Sequence, residues 1–207
     1  MNKGIIVGIT GASGAGYALR LLEILLGRPL HIHLIVSGMG AKVLAHELKI
    51  SPGEVRGLFD RMRSVEGVRA EMTVHDPDDM FAPPASGSFP VRAMAIVPCS
   101  MKTLAAVAGG YTSNLLERAA DVTLKERRPL VLVVRETPLS RIHLANMLKA
   151  QEAGATIMPA SPGFYHHPRT IEDLTTFMAG RVLDQLGIER PDIPRWGGPA
   201  GGEEDES

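Results

Sequence analysis

Apolar positions along the chain follow two alternating rhythms. Short unbroken apolar runs predict strands over 5–9, 30–36, 93–97 and 130–134, with shorter ones over 71–74 and 156–158. Between them apolar residues recur every three or four positions. That spacing predicts helices over 13–26, 41–48, 54–63, 101–108, 115–127, 140–153 and 171–186. Strands that alternate with helices predict an α/β fold, a parallel sheet covered on both faces. The continuous apolar character of VLVV and AIV fits strands buried on both sides. Residues 76–90 (DPDDMFAPPASGSFP) carry neither rhythm, and so long a connection is uncommon unless it has a task.

With 207 residues the chain is long enough for one well-buried domain and short for two, so 1–190 is expected to form one unit. Residues 191–207 end in a Gly-rich acidic run and are expected to be a flexible tail apart from Trp196. Aromatics make up only 4%, so the core must rest on Leu, Val, Ile and Ala. A net charge of −1 gives no field that favours nucleic acid or an anionic membrane. No apolar run approaches the ~18 residues of a membrane span. Glycines, Ser13 and Arg20 interrupt the N-terminal apolar stretch, which lacks a cleavage pattern. The one cysteine, Cys99, excludes an intrachain disulfide and fits a reducing, cytoplasmic setting.

Ligands of doubly wound sheets sit beyond the carboxyl ends of the strands. The residues that follow the predicted strands are therefore the candidates. Thr10, Gly11, Ala12, Ser13 and Gly14 follow the first, and Ser37 and Gly38 the second. Cys99, Ser100, Met101, Lys102 and Thr103 follow the strand that ends at Val97; Arg135 and Glu136 follow VLVV; Ser161 and Tyr165 follow the last. The first turn has glycines that admit an anion, and Ser13 is placed to cap the helix or donate to a phosphate. A dinucleotide site wants an acidic residue after the second strand, where Ser37-Gly38 stands, so a mononucleotide fits better.

Arg118 and Lys125 are seven apart on one helical face. They are either a solvated basic edge, paired with Glu117 or Asp121, or two cations that reach one pocket. His31 and His33 share a strand face and His166 and His167 are adjacent, but neither pair has a convincing third ligand, so no metal is expected. Cys99 reads as a small buried hydrophobe, since no base accompanies it. Trp196 is either a hydrophobic latch or a cover over a ligand.

Several segments carry a resemblance to a known family. GITGASGAGYALRLL, IVSGMGAKVLAHE, APPASGSF, the run from PCSMKT through RETPLS, and HLANMLKAQEAGATIMPASPGFYHHP are similar to UbiX-type flavin prenyltransferases, in order, from Lys3 to Trp196. The resemblance implies a Rossmann-like three-layer fold of the flavoprotein, flavodoxin-like kind. It implies FMN and dimethylallyl monophosphate as substrates, and prenylated FMN for UbiD-type decarboxylases as product. Gly11, Ala12, Ser13, Ser37, Ser100, Met101, Lys102, Thr103 and Arg135 match its FMN-binding positions. Tyr165 and Arg181 match prenyl-phosphate positions, with Arg118 and Lys125 on the substrate side. Glu47, Lys125, Glu136 and Trp196 match residues of the reacting centre. It further implies a homododecamer with sites built between subunits.

On that reading Lys125, Arg135 and Arg181 stabilise a departing phosphate, and Glu136, or secondly Glu47, moves a proton at the flavin. A flavin-dependent decarboxylase, a non-catalytic flavin carrier and a nicotinamide oxidoreductase are the rival readings. The carrier has no need of Lys125, Arg181 and Glu136, and the oxidoreductase lacks its acidic ribose residue. The apolar content of 76–90, with Met80, Phe81 and Phe89, adds an expectation of a large homo-oligomer.

Overall fold

The computed structural model describes residues 4–189. Six strands, β1 (Gly4–Ile9), β2 (His31–Val36), β3 (Glu71–His75), β4 (Val91–Cys99), β5 (Leu130–Val134) and β6 (Ala155–Pro159), form one sheet in the order β3-β2-β1-β4-β5-β6. Every pairing is parallel. The chain starts at the centre, steps outward to β3, returns to lay β4 beside β1, and steps outward again to β6. That reversal opens a crevice between the carboxyl ends of β1 and β4.

Seven helices cover the sheet among the described residues: α1 (Ala15–Leu26), α2 (Gly38–Leu48), α3 (Val55–Met62), α4 (Met101–Gly109), α5 (Leu115–Lys125), α6 (Arg141–Glu152) and α7 (Ile171–Gln185). Side chains of a strand alternate between faces, so each strand feeds two cores. Ile5, Val7 and Ile9 meet α1, α2 and α7 on one face, whereas Ile6, with Met94 and Ile96, meets α4 and α5 on the other. α1 buries Ala18, Leu21, Leu22 and Leu25, the apolar stripe of its sequence. Truncating one such leucine to alanine costs about 2–5 kcal/mol. No helix among the described residues is long and apolar enough to cross a membrane.

The boundaries depart from the sequence pattern in three places. α2 begins at Gly38, ahead of the expected 41, because Ser37 caps it and accepts from Gly40 N at 3.0 Å. The 54–63 segment divides into a 3-10 turn, Pro52–Glu54, and α3. α5 stops at Lys125 because Arg127 turns left-handed, with φ 54°.

Residues 76–90 take the place of a crossover helix. They lie along α5, tied by Arg118 Nε to Ala85 O (3.1 Å) and by Arg128 to the carbonyls of Phe89 (3.1 Å) and Gly87 (2.7 Å). Phe89 is tucked edge-on against His33, with ring centroids 4.8 Å apart, and is not an exposed residue as its neighbours suggested. Phe81 is fully exposed (100%).

Candidate functional site

Thr10 bolts the crevice at its base. Its hydroxyl donates to Pro98 O (2.8 Å) and accepts from Ser100 N (2.8 Å), which joins the ends of β1 and β4. Above it lies a cleft of about 360 Å³ lined by Gly11, Ser37, Met39, Ser100, Lys102 and Glu117, among others. Three helices begin here: α2, α4 and α5, whose cap Asn114 and first-turn Glu117 also line the cleft. Ser37 caps α2, and Ser100 caps α4 by accepting from Thr103 N at 3.3 Å. α2 and α4 thus direct their positive ends and first amides toward one cleft, and Lys102 adds a full charge. The close approach of α2 requires glycine. A Cβ on Gly11 would lie 2.6 Å from Met39 Cβ, and one on Gly40 the same distance from Ile9 O. The arrangement suits a phosphate monoester with a polar tail.

The head of α1 differs from expectation. Its N-cap is Gly14, with no side-chain cap of its own. Glu47, reaching over from α2, fills that role. Its carboxylate accepts from Ala15 N (2.8 Å) and Gly14 N (3.1 Å). Burial pushes the Glu47 carboxyl up, but hydrogen bonds from Ser13, Ala15 and Gly14, with the nearby Arg135 charge, hold it below the ordinary range. The anion-binding end of α1 therefore already holds an anion. Ser13 bonds that carboxylate, and a phosphate at this turn would meet like charge. In this chain Ser13 thus faces a carboxylate, whereas α2 and α4 present helix ends open to the cleft.

Sequence reasoning missed Glu117. It read as a solvated partner of Arg118, yet only 2% of its surface is exposed. One carboxylate oxygen accepts from Ser113 N (2.9 Å) and Ser113 Oγ (2.6 Å), and the other pairs with Lys102 Nζ. Burial raises its pKa, and these bonds more than reverse the effect. Ser113-Asn114-x-x-Glu117, a cap signature ahead of α5, was the available signal, but it marks a helix start rather than a cleft wall.

The other sequence-predicted residues fall into separate groups. Ala12 is buried beside the cleft and Met101 is half-buried at the start of α4. Arg135 follows β5, where its N–H donates to Cys99 O (3.3 Å), and Glu136 is exposed next to it. Arg181 lines a second groove, about 480 Å³, between β6 and α7, and pairs with Asp184 at 3.2 Å. Tyr165 is half exposed, with its ring edge-on to Phe177, one of the residues that line that groove. Arg118 and Lys125 reach neither opening within one chain. Arg118 bonds Ala85 O and Asp121, and Lys125 pairs with Glu126 at 2.5 Å. Lys125 stands eight residues beyond Glu117 on α5, about 12 Å along the axis. The shared-pocket expectation for these two cations is thus not met inside a single chain. Both flank the 85–87 stretch instead. Trp196 lies outside the described residues. Cys99 is fully buried, and burial pushes its thiol up to about 12.

Known proteins are similar to this chain in sequence and fold. The Flavoprotein family model matches residues 1–183. A protein of Halalkalibacterium halodurans named flavin prenyltransferase UbiX is 49% identical over 196 residues, covering 94% of each chain. A crystal structure of AnUbiX (PadA1) in complex with FMN and dimethylallyl pyrophosphate superposes with a TM-score of 0.85 at 43% identity, covering 96% of this chain and 99% of that one. A dodecameric FMN-dependent UbiX-like decarboxylase from Escherichia coli gives a TM-score of 0.83 at 43% identity, covering 94% and 100%.

Proposed function

The chain belongs to the Flavoprotein family and, within it, to the UbiX-type flavin prenyltransferases, and from that premise we propose that it joins a dimethylallyl group from dimethylallyl monophosphate to N5 and C6 of reduced FMN. The observation that carries the reading is the convergence of two serine-capped helix ends and Lys102 on the cleft between β1 and β4. Ser37, Ser100, Met101, Lys102 and Thr103 would hold the FMN phosphate there. Gly11, Ala12, Ser13 and Arg135 would take the ring end, beside Glu47. Reduced FMN supplies the two nucleophilic positions, N5 and C6.

The chain's own residues then have three tasks. The first is charge. As the donor's C–O bond breaks, negative charge gathers on the phosphate, and Lys125, Arg118, Arg181 and the Tyr165 hydroxyl stabilise it. These groups lie apart in one chain, and assembly of copies into a homododecamer would join them around one FMN. The second is proton movement at the flavin. Glu136 is the candidate, and Glu47, already held as a carboxylate, the second choice. The third is exclusion of water, to which Trp196 would contribute as a cover. The dimethylallyl part of the donor is supported by the ligand in the AnUbiX crystal structure. A single phosphate is the part that rests on the cationic side chains alone. No metal is required by this set of groups.

The product would serve a UbiD-type decarboxylase, and the protein would act in the cytoplasm. Protein-free filtrate from a reaction with reduced FMN and dimethylallyl phosphate should restore activity to a UbiD-type decarboxylase stripped of its cofactor. A filtrate that leaves that enzyme inactive would contradict the proposal.

A further inference from the structure

A buried carboxylate beside a phosphate seat needs a reason, because it repels the ligand the seat is built to hold. Glu117 is such a group. It is 2% exposed and lines the cleft that the FMN reading fills. Its hydrogen bonds divide cleanly between its two oxygens. Ser113, through N and Oγ, fixes Oε2 from the α5 side at 2.9 and 2.6 Å. Oε1 is left for Lys102, on the first turn of α4.

The partner is of opposite character. The Lys102 side chain is 69% exposed. Without Glu117 its four-carbon arm would sample solvent, and a ligand would have to order it on arrival. We propose that Glu117 is a positioning residue that pins the Lys102 ammonium at the cleft, so that the phosphate end of FMN meets a cation already in place. The pair is neutral as a unit, so it adds direction rather than net charge. The positive ends of α2 and α4 supply the remaining attraction.

The inference rests on the FMN reading of this cleft, and the test separates the two. FMN and riboflavin, which lacks the phosphate, are titrated against the full chain and against Glu117→Gln, Lys102→Met and the double variant. Glutamine retains an acceptor for Ser113. Removing Lys102 alone leaves the buried Glu117 carboxylate without its charge partner, so the double variant, which removes both charges, keeps the test readable even if a single variant folds poorly. The expected result is an FMN affinity about tenfold weaker in Glu117→Gln, with riboflavin affinity unchanged. Lys102→Met should lose at least as much, and the double variant no more than Lys102→Met, since both changes remove one interaction.

FMN bound by Glu117→Gln as tightly as by the unaltered chain, or more tightly, would overturn the proposal, as would an equal loss for riboflavin, the mark of a merely structural role. An unaltered chain that binds FMN and riboflavin equally would instead overturn the phosphate seat itself, and the inference with it.

Discussion

Glu47 and Glu117 are both carboxylates held below their ordinary range, one at the head of α1 and one in the cleft wall. A group with a depressed folded pKa stabilises the fold above its unfolded value, about 4.3 for glutamate. That contribution is lost as pH falls through the lower folded value. The denaturant midpoint should therefore stay level from neutral pH to about 5 and drop below about 4. Glu47→Gln should start about 1 kcal/mol lower, as the loss of a helix cap does, and show a shallower acid decline in the same titration. Lys125 offers a different prediction. It is exposed and its ammonium pairs with Glu126, so Lys125→Ala should fold and take up FMN normally. If it faces the leaving phosphate in the assembled enzyme, single-turnover prenyl transfer should slow by about 10²–10³; turnover at the unaltered rate would return it to a solvated helix edge. At this scale the candidate site was partly legible. Ser37 and Ser100 were found because they follow buried strands, where ligands of such sheets sit. Glu47 on α1 and Glu117 on Lys102 were not, because those contacts join residues 32 and 15 positions apart on different elements, and no local pattern encodes them.

Elements carry the site by where they start. Five helices, α2, α4, α5, α6 and α7, have a side-chain cap from Ser, Asn or Thr; α2 and α4, which bring Ser37 and Lys102 to the cleft, are capped by serines. The strands were legible as apolar runs, since a strand buried on both faces has no polar position to blur it. The start of α2 was not, because Gly38 and Gly40 read as breakers. In the fold Gly40 is required by the carbonyl of Ile9, and a glycine in the first turn of a capped helix costs little. Residues 76–90 were legible as a segment with a task but not as a strap along α5. Arg128→Ala removes the bonds to Phe89 and Gly87, so this stretch should become the first point of cleavage in limited proteolysis. A cleavage pattern identical to that of the unaltered chain would show that the strap is held by other contacts.

For the whole molecule, the distribution of exposed apolar side chains matters more than any one of them. Phe81, Ile142, Leu148 and Ile171 are all well exposed, and contact between copies would take them out of water. With Arg118 and Lys125 turned away from the cleft, an assembly would account for both observations, so light scattering at micromolar concentration should give the mass of a large oligomer. Phe81→Asp should lower that mass while the circular dichroism of the fold is kept. An unaltered chain that runs as a monomer would leave the cations without a common site. The central claim is the reaction itself. The chain is incubated anaerobically with reduced FMN and dimethylallyl phosphate, with chelator present, and the extracted flavin is weighed by mass spectrometry. The account predicts FMN heavier by one dimethylallyl unit less the hydrogen it replaces; flavin recovered at the mass of FMN, from protein that has bound both substrates, would contradict it.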